Sequence, residues 1–486
     1  MKYCTPEQAG ISSAHVSAFV KRLETYNLST HSILMARGND IFFECYYAPF
    51  HKDFKHRMYS VSKSFVSVAV GFCEQEGLLS LDDPMLKYFP AYAGEGAPNA
   101  TIREMLMMES AEESQAKSWF RTVTDDRVAC YFKPFVKKYP HTLFSYDSAG
   151  SYMLGVIVEK VTGKPFLRYL QEKVLDGIGF SKDAYCLQAP GGYSWGDSGV
   201  MCTAKDLMLF ARFVLNRGSW EGKQYLNRAY LEAATSLQVS NGDYGFYAHD
   251  AHGYGYQFWM APQGCFAMLG MGNQIALCDP VHDFIFVINS DNQGNSYGYE
   301  HIFFALYEEI IPHLGAPLSA DKAAHAALLA ETSALQLFSL KGAACSDFAA
   351  QIDGKTFTCD ENPMGIKWLR LSFEGNEGVL YYQNAQGEKA LRFGLGRNVF
   401  GKFPQEGYAD LVGTVPTKGH YYDCAVSADW PEPQKLRIRV QIIDKYFGNL
   451  AIVIGFRDAK HLSLRMTKKA EYFLTEYEGI LNASAE

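Results

Sequence analysis

The chain has no run of about 18 apolar residues, the length that crossing a bilayer demands, so no membrane span is expected. Its first residues, MKYCTPEQAGISS, lack the apolar core and small-residue cleavage site of a secretory leader. Clusters of Lys and Arg are missing too. With 53 acidic against 45 basic residues the net charge is -8, which excludes a surface built for phosphate backbones, so no nucleic-acid partner is expected. The 11 cysteines are scattered, odd in number and without a C-x-x-C pair, so neither a disulfide framework nor a zinc site is implied. Reduced thiols without a leader read as a cytoplasmic protein. The best grouping of metal-type residues, His249-Asp250-Ala251-His252, has no further ligand at useful spacing, and no metal or other cofactor is expected. No internal repeat is visible. What remains is a chain of 486 residues, 48% hydrophobic and 20% charged, the composition of a globular protein. Its length leaves room for about two to four domains.

Four residues stand out against that background. Ser60-Val61-Ser62-Lys63 place a hydroxyl and an amine three positions apart at the head of an apolar helix, where such positions share a face. A lysine withdrawn from water gives up charge, and a neutral amine can accept a serine proton. The helix N-terminus adds a positive potential that favours the alkoxide and the oxyanion formed after attack. The alternative for the same residues is an N-cap serine followed by a lysine that snorkels to solvent.

Periodicity organises the rest. Residues 12–26 carry a helical pattern capped by Ser12 or Ser13, and residues 31–50 read as two strands turning at Arg37-Gly38-Asn39-Asp40. The helix that holds Ser60 and Lys63 stops at Gly77, a left-handed C-cap residue. Residues from Pro90 to about 235 are mainly helical. Three strands follow at 265–269, 274–278 and 284–289, joined by links short enough only for antiparallel neighbours. With the early hairpin they make an α+β fold: a five-stranded antiparallel sheet flanked by helices, one of them near 300–313, with a mostly helical subdomain inserted after the second strand. Beyond an Ala-rich stretch the period changes to two at 368–373, 378–382, 436–443, 450–456 and 462–466. This predicts a C-terminal antiparallel β-barrel or sandwich of about eight strands. The expected domains are residues 1–318 and 343–486, with a linker at 319–342.

A second motif, Phe144-Ser145-Tyr146-Asp147-Ser148-Ala149-Gly150, sets a tyrosine and a serine on a loop before another helix. A tyrosine beside a lysine ammonium can work as a general base. The order of these motifs, with "MYSVSKSF", "EGLLSLDDP", "TIREMLMM", "FSYDSAGSYMLGVIVEKVTG" and "GDSGVMCTAKDLMLFARFVL", resembles the serine β-lactamase and penicillin-binding-protein superfamily. The likeness is to its class C β-lactamase, D-alanyl peptidase and esterase branch, over about residues 5–315. It implies the same sheet with a helical insert, and a serine hydrolase working through an acyl-enzyme. It makes Ser60 the nucleophile, Lys63 its proton acceptor and Tyr146 the base that shuttles protons and activates water. Ser148 would help the relay or bind the substrate amide. The third family motif, K-T-G or H-x-G, aligns with Met268-Leu269-Gly270, so the strand has no cation where many relatives bind a carboxylate. Gly270 still allows close backbone approach, and the Met271 N–H would join that of Ser60 as an oxyanion hole.

Other signals carry less. Gly192-Tyr193-Ser194-Trp195-Gly196 matches G-x-S-x-G, and Gly196-Asp197-Ser198-Gly199 echoes a trypsin-like serine site, but neither has the strand context its chemistry needs, and both read as a glycine-rich loop near the pocket. The aromatic cluster Tyr244, Phe246, Tyr247, Tyr254, Tyr256, Phe258 and Trp259 serves as core, as pocket wall, or as both. The C-terminal domain is a structural or dimerising module, or it covers the site with the loop at Phe393-Gly394-Leu395-Gly396-Arg397-Asn398, where Arg397 would supply the missing cation. The expected activity is hydrolysis of a small-molecule ester, amide or peptide by a possible homodimer, without efficient β-lactamase activity. The alternative, motivated by Met268, is a non-catalytic binding or sensor protein on the same fold.

Overall fold

Near-continuous apolar runs bounded by turn residues build the first strands. In the computed structural model of the chain, β1 spans Lys2–Tyr3, α1 Ser13–Thr25, β2 Thr30–Arg37 and β3 Asp40–Tyr46. Ser12 caps α1 by accepting from the His15 N–H, and Gly38 turns the hairpin at φ 56°. The structure describes residues 1–94, 99–110, 126–132, 138–243, 251–408, 415–471 and 473–486. These cluster into two compact units, one up to Gln336 and one from Leu337 onward.

The first unit continues with β4 at His56–Arg57, α2 at Ser62–Gln75, α3 at Ile102–Leu106 and α4 at Ser148–Thr162. Then come β5 at Tyr185–Cys186, β6 at Val200–Cys202, α5 at Ala204–Leu215 and β7 at Trp259–Met260. The last strands are β8 at Phe266–Gly270, β9 at Gln274–Asp279 and β10 at Phe284–Ser290, followed by α6 at Gly298–Ala305 and α7 at Lys322–Ser333. The main sheet runs β1-β3-β2-β10-β9-β8-β7. Its five long strands are those expected. Two further strands of two residues each, β1 and β7, sit at the edges and are too short to leave a periodic signal. The central strands are buried on both faces. One face packs Phe19, Val20 and Leu23 of α1 and Ile302 and Phe303 of α6 over Ile33, Met35, Ile275, Phe286 and Ile288. The other receives α5.

The helical insert lies between β3 and β8 and is stitched by a small sheet in the order β4-β6-β5. That sheet brings residues 56–58 beside 200–202: the Met58 N–H donates to the Val200 carbonyl at 2.9 Å, and the Val200 N–H to Ser62 Oγ at 3.0 Å. The stretch expected as a linker contains α7, which buries Leu328 and Thr332 against α1 and β3.

In the second unit ten strands follow: β11 Thr356–Cys359, β12 Trp368–Glu374, β13 Glu377–Asn384, β14 Gly387–Leu395, β15 Val399–Tyr408, β16 Pro416–Glu432, β17 Lys435–Ile443, β18 Phe447–Phe456, β19 His461–Lys469 and β20 Gly479–Ser484. Their order is β14-β13-β12-β11-β20-β19-β18-β17-β16-β15. The barrel closes because β16 is 17 residues long and, past its ladder with β15, pairs Ser427 and Ala428 with Gly394 and Leu395 of β14. Alternate residues point inward, as Leu436, Ile438, Val440 and Ile442 do from β17. The count of ten exceeds the eight read from period two, because β15 and the first half of β16 are Gly- and Pro-containing and largely exposed.

Candidate active site

The approach to α2 is strained. Residues 59–61 form a 3-10 turn, and Tyr59 sits at φ 46°, a left-handed conformation that costs a bulky residue about 1–2 kcal/mol. The Arg57 guanidinium lies 4.2 Å over its ring. Ser60 follows, half-buried. Lys63, one turn on, is only 1% exposed, so it does not snorkel. Its Nζ donates to Ser60 Oγ and to the Asp197 carbonyl, both at 2.9 Å, and stands 5.0 Å from the centre of the Tyr146 ring. Burying an amine costs several kcal/mol unless it is partnered, and these three contacts are the compensation.

Tyr146 is placed by the start of α4. Asp147, fully buried, caps that helix by accepting from the Gly150 N–H at 2.9 Å and from Ser110 Oγ at 3.0 Å. Burial pushes its carboxyl up, while the hydrogen bonds from Gly150, Ser110 and Ala149 and the Lys138 charge pull the other way. The Tyr146 ring stacks on Trp259 at 5.4 Å and 24°. Ser148 opens α4 and is half-buried. Thus Ser60 and Lys63, one turn apart, and Tyr146, distant in sequence, form one cluster.

A layer that the sequence did not reveal stands behind Lys63. Trp195, fully buried, has the guanidinium groups of Arg57 and Arg127 each 4.4 Å from its ring. Arg57 donates to the Ser198 carbonyl at 3.0 Å and to Ser198 Oγ at 2.9 Å. Asp197 is 1% exposed; burial pushes its carboxyl up, and the charges of Lys63, Arg127 and Arg57 oppose that shift. The glycine-rich segment 196–199 is therefore a support for the lysine. Ser194 sits in an isolated bridge with Gln188 and hydrogen-bonds Glu159, whose carboxyl burial pushes up; no strand-turn-helix elbow surrounds it.

The end of β8 closes on the same place. A Cβ on Gly270 would stand 2.5 Å from the Met58 carbonyl oxygen, and the Gly270 carbonyl accepts from Tyr299 at 2.6 Å. Met268, on the same face of β8 as Gly270, is 1% exposed, whereas Met271 is 36% exposed on the turn after the strand. Gln274 Nε2 holds that turn through the Met271 carbonyl at 3.0 Å. Arg397 belongs to the barrel and pairs with Glu377 at 2.5 Å. Of the aromatic cluster, Tyr254, Tyr256, Phe258 and Trp259 are core residues. Tyr244, Phe246 and Tyr247 lie outside the described residues, as do His249 and Asp250. Among the described residues no group of three metal-type side chains converges, and no helix is long and apolar enough to cross a membrane.

A helix-flanked antiparallel sheet with a helical insert, carrying a serine and a buried lysine on one helical turn, defines a protein of the penicillin-binding-protein-like serine-hydrolase superfamily. The Beta-lactamase family profile matches residues 16–305, and the chain belongs to that family. It is 27% identical over 280 residues to the 6-aminohexanoate-dimer hydrolase of Paenarthrobacter ureafaciens, covering 53% of this chain and 71% of that one. Among solved structures, the octameric penicillin-binding protein homologue of Pyrococcus abyssi matches 96% of this chain and 99% of its own, with 16% identity and a TM-score of 0.50. A penicillin-binding protein homologue from Caulobacter crescentus matches 62% of this chain and 99% of its own, at 16% identity and a TM-score of 0.50. At such identities the structures speak for the fold.

Proposed function

We propose that this protein hydrolyses a small-molecule ester or amide through an acyl-enzyme on Ser60. The observation that carries the reading is the 2.9 Å separation between the buried Lys63 Nζ and Ser60 Oγ. Ser60 Oγ attacks the substrate carbonyl carbon as its proton passes to Lys63. The backbone N–H groups of Ser60 and Met271 hold the oxyanion. Collapse expels the alcohol or amine, which takes a proton through Lys63 and Tyr146, and leaves the acyl group on Ser60. Water then attacks that ester, and its proton passes to Lys63 by way of Tyr146, whose phenol hands on its own proton as it takes the water's. Collapse of the second intermediate returns the proton to Ser60 and frees the acid. Ser148 assists the relay or binds the substrate amide, and the catalytic step calls on no cofactor.

The Paenarthrobacter ureafaciens relative, a 6-aminohexanoate-dimer hydrolase by name, puts linear amides beside esters and D-amino-acid amides among the substrates to test. A fluorophosphonate probe should label Ser60, read by intact-protein mass spectrometry; equal labelling of Ser60→Ala would sink the reading. The apolar Met268 at the third motif favours a second reading, a binding or sensor protein that keeps the fold without turnover. Hydrolysis of any of these substrates that disappears in Lys63→Ala would exclude it.

A further inference from the structure

We propose that Gln257 is the positioning residue that keeps Lys63 and Tyr146 in register, an inference that rests on the hydrolase reading above. Gln257 is 2% exposed and sits at φ 64°, a left-handed conformation that a long side chain adopts only when its surroundings hold it there. Its polar groups are engaged by the elements that carry the site. Its carbonyl accepts from Ser64 Oγ at 2.7 Å, the residue directly after Lys63 on α2. Its side-chain Oε1 accepts from Ser151 Oγ at 2.7 Å, on the first turn of α4 behind Tyr146. Its Nε2 donates to the carbonyls of Met105 at 3.1 Å and Leu106 at 2.9 Å, and its backbone N–H also donates to Leu106. Two carbonyls can be met only by the NH2 end, so the amide has one workable orientation, with its oxygen on Ser151.

The segment at the end of α3 that Gln257 grips in turn holds the tyrosine loop. The Met108 carbonyl accepts from the Ser145 N–H at 2.9 Å, and its sulfur from the Asp147 N–H at 3.1 Å. Two residues beyond Gln257, Trp259 stacks on the Tyr146 ring. One short segment therefore touches the helix of the nucleophile, the helix after the base, and the base itself. Packing alone would need an apolar side chain here; a fully bonded amide in a strained backbone fixes a distance. That distance is the one the proton relay uses, and a misplacement of about 1 Å in such an arrangement can cost about a hundredfold in rate.

The experiment compares wild type, Gln257→Glu, Gln257→Ala and Ser151→Ala in the full chain, with ester turnover measured well below each melting temperature and crystal structures of the soluble variants. In Gln257→Glu the protonated carboxyl still donates to one carbonyl, while the ionised form repels both. We expect kcat at alkaline pH to fall about tenfold or more, KM to stay within about twofold, and activity to return on acidification through an ionisation that wild type lacks. The crystal structures should show Lys63 Nζ beyond hydrogen-bond reach of Ser60 Oγ, or moved from Tyr146. A lower melting temperature with wild-type kcat, an unchanged pH profile and unmoved Lys63 and Tyr146 would overturn the proposal. If Gln257→Ala does not fold, Gln257→Glu, which alters only the NH2 end of the amide, decides it, because Ser151→Ala also removes the contact of Ser151 Oγ with the Asp147 carbonyl at 3.0 Å. If wild type neither turns over nor labels at Ser60, the hydrolase reading fails, and the crystallographic distances alone decide the role of Gln257.

Discussion

Gly270 and the Met58 carbonyl are in such close approach that even one methyl group between them would overlap: a Cβ at 270 would lie 2.5 Å from that oxygen. Met58 is two residues before Ser60, so the end of β8 and the Ser60 turn share a boundary without slack. Gly270→Ala should therefore cost about 1–3 kcal/mol, the usual range for overpacking, and slow acylation of Ser60 as the turn shifts. Urea unfolding and probe-labelling rates measure the two effects; wild-type values for both would mean that the backbone here yields.

Lys63→Ala removes the donor to both Ser60 Oγ and the Asp197 carbonyl. Turnover should fall by about 10² to 10⁴, the share usually carried by a positioned acid-base group. Tyr146→Phe keeps the ring stacked on Trp259 and the face presented to Lys63, so its loss should appear in kcat with little change in melting temperature. A Phe variant with full kcat would remove Tyr146 from the relay.

Efficient β-lactamase activity should be absent. Penicillins and cephalosporins carry a carboxylate, and Met268, apolar and 1% exposed, gives it no charge-assisted hydrogen bond. Such a bond is worth roughly 1.5–3 kcal/mol, or about one to two decades in rate. Arg397, the cation considered as a substitute, already pairs with Glu377. A kcat/KM above about 10⁵ per molar per second on a chromogenic cephalosporin, an ordinary value for an enzyme on its own substrate, would refute this.

Acidification should weaken the fold through a buried histidine pair. His56 Nδ1 lies 2.8 Å from the Arg57 carbonyl, which only accepts, so that nitrogen carries the proton and Nε2 accepts from His31 Nδ1 at 2.9 Å. Burial pushes both imidazoles down, His56 to about 3, with the neighbouring His56 charge also opposing protonation of His31. In the unfolded chain both titrate near pH 6.5, as histidines ordinarily do. Below that pH the unfolded state binds protons that the folded state refuses. The stability they confer is thus complete above about pH 6.5 and is lost toward pH 3, at about 1.4 kcal/mol per pH unit for each group. Urea midpoints between pH 7.5 and 5 should fall less steeply in His31→Phe, which retains a ring against Phe50. An equal slope would rule the pair out as the source.

The sheet was legible because its strands are apolar runs bounded by turn residues, and the helix of Lys63 because its buried residues are continuous from 62 to 73. Lys63 and Tyr146 were legible only through their motifs. Asp197 was visible merely as part of a rival motif, since nothing local tells that its backbone carbonyl, 134 positions from Lys63, will receive the amine. Gln257 was hidden among aromatic residues: a lone polar residue between Tyr256 and Phe258 was the one available signal, and period two treats it as an exposed position. Arg57, Trp195 and Arg127 pair across three separate segments, and stacking of that kind leaves no spacing to read.

The order of strands also sets a schedule for chain growth. β2 pairs on one side with β3, made at once, and on the other with β10, whose last residue is Ser290. Until that residue emerges from the ribosome, β2 offers an open edge, and the whole helical insert has to be synthesised in the interval. Ser60 and Lys63 are made first; the Asp197 carbonyl that anchors the amine follows 134 positions after Lys63, and β8, which abuts the Ser60 turn, comes later still. Until both have been made, the Ser60–Lys63 turn lacks the carbonyl that receives its amine and the strand end that abuts it.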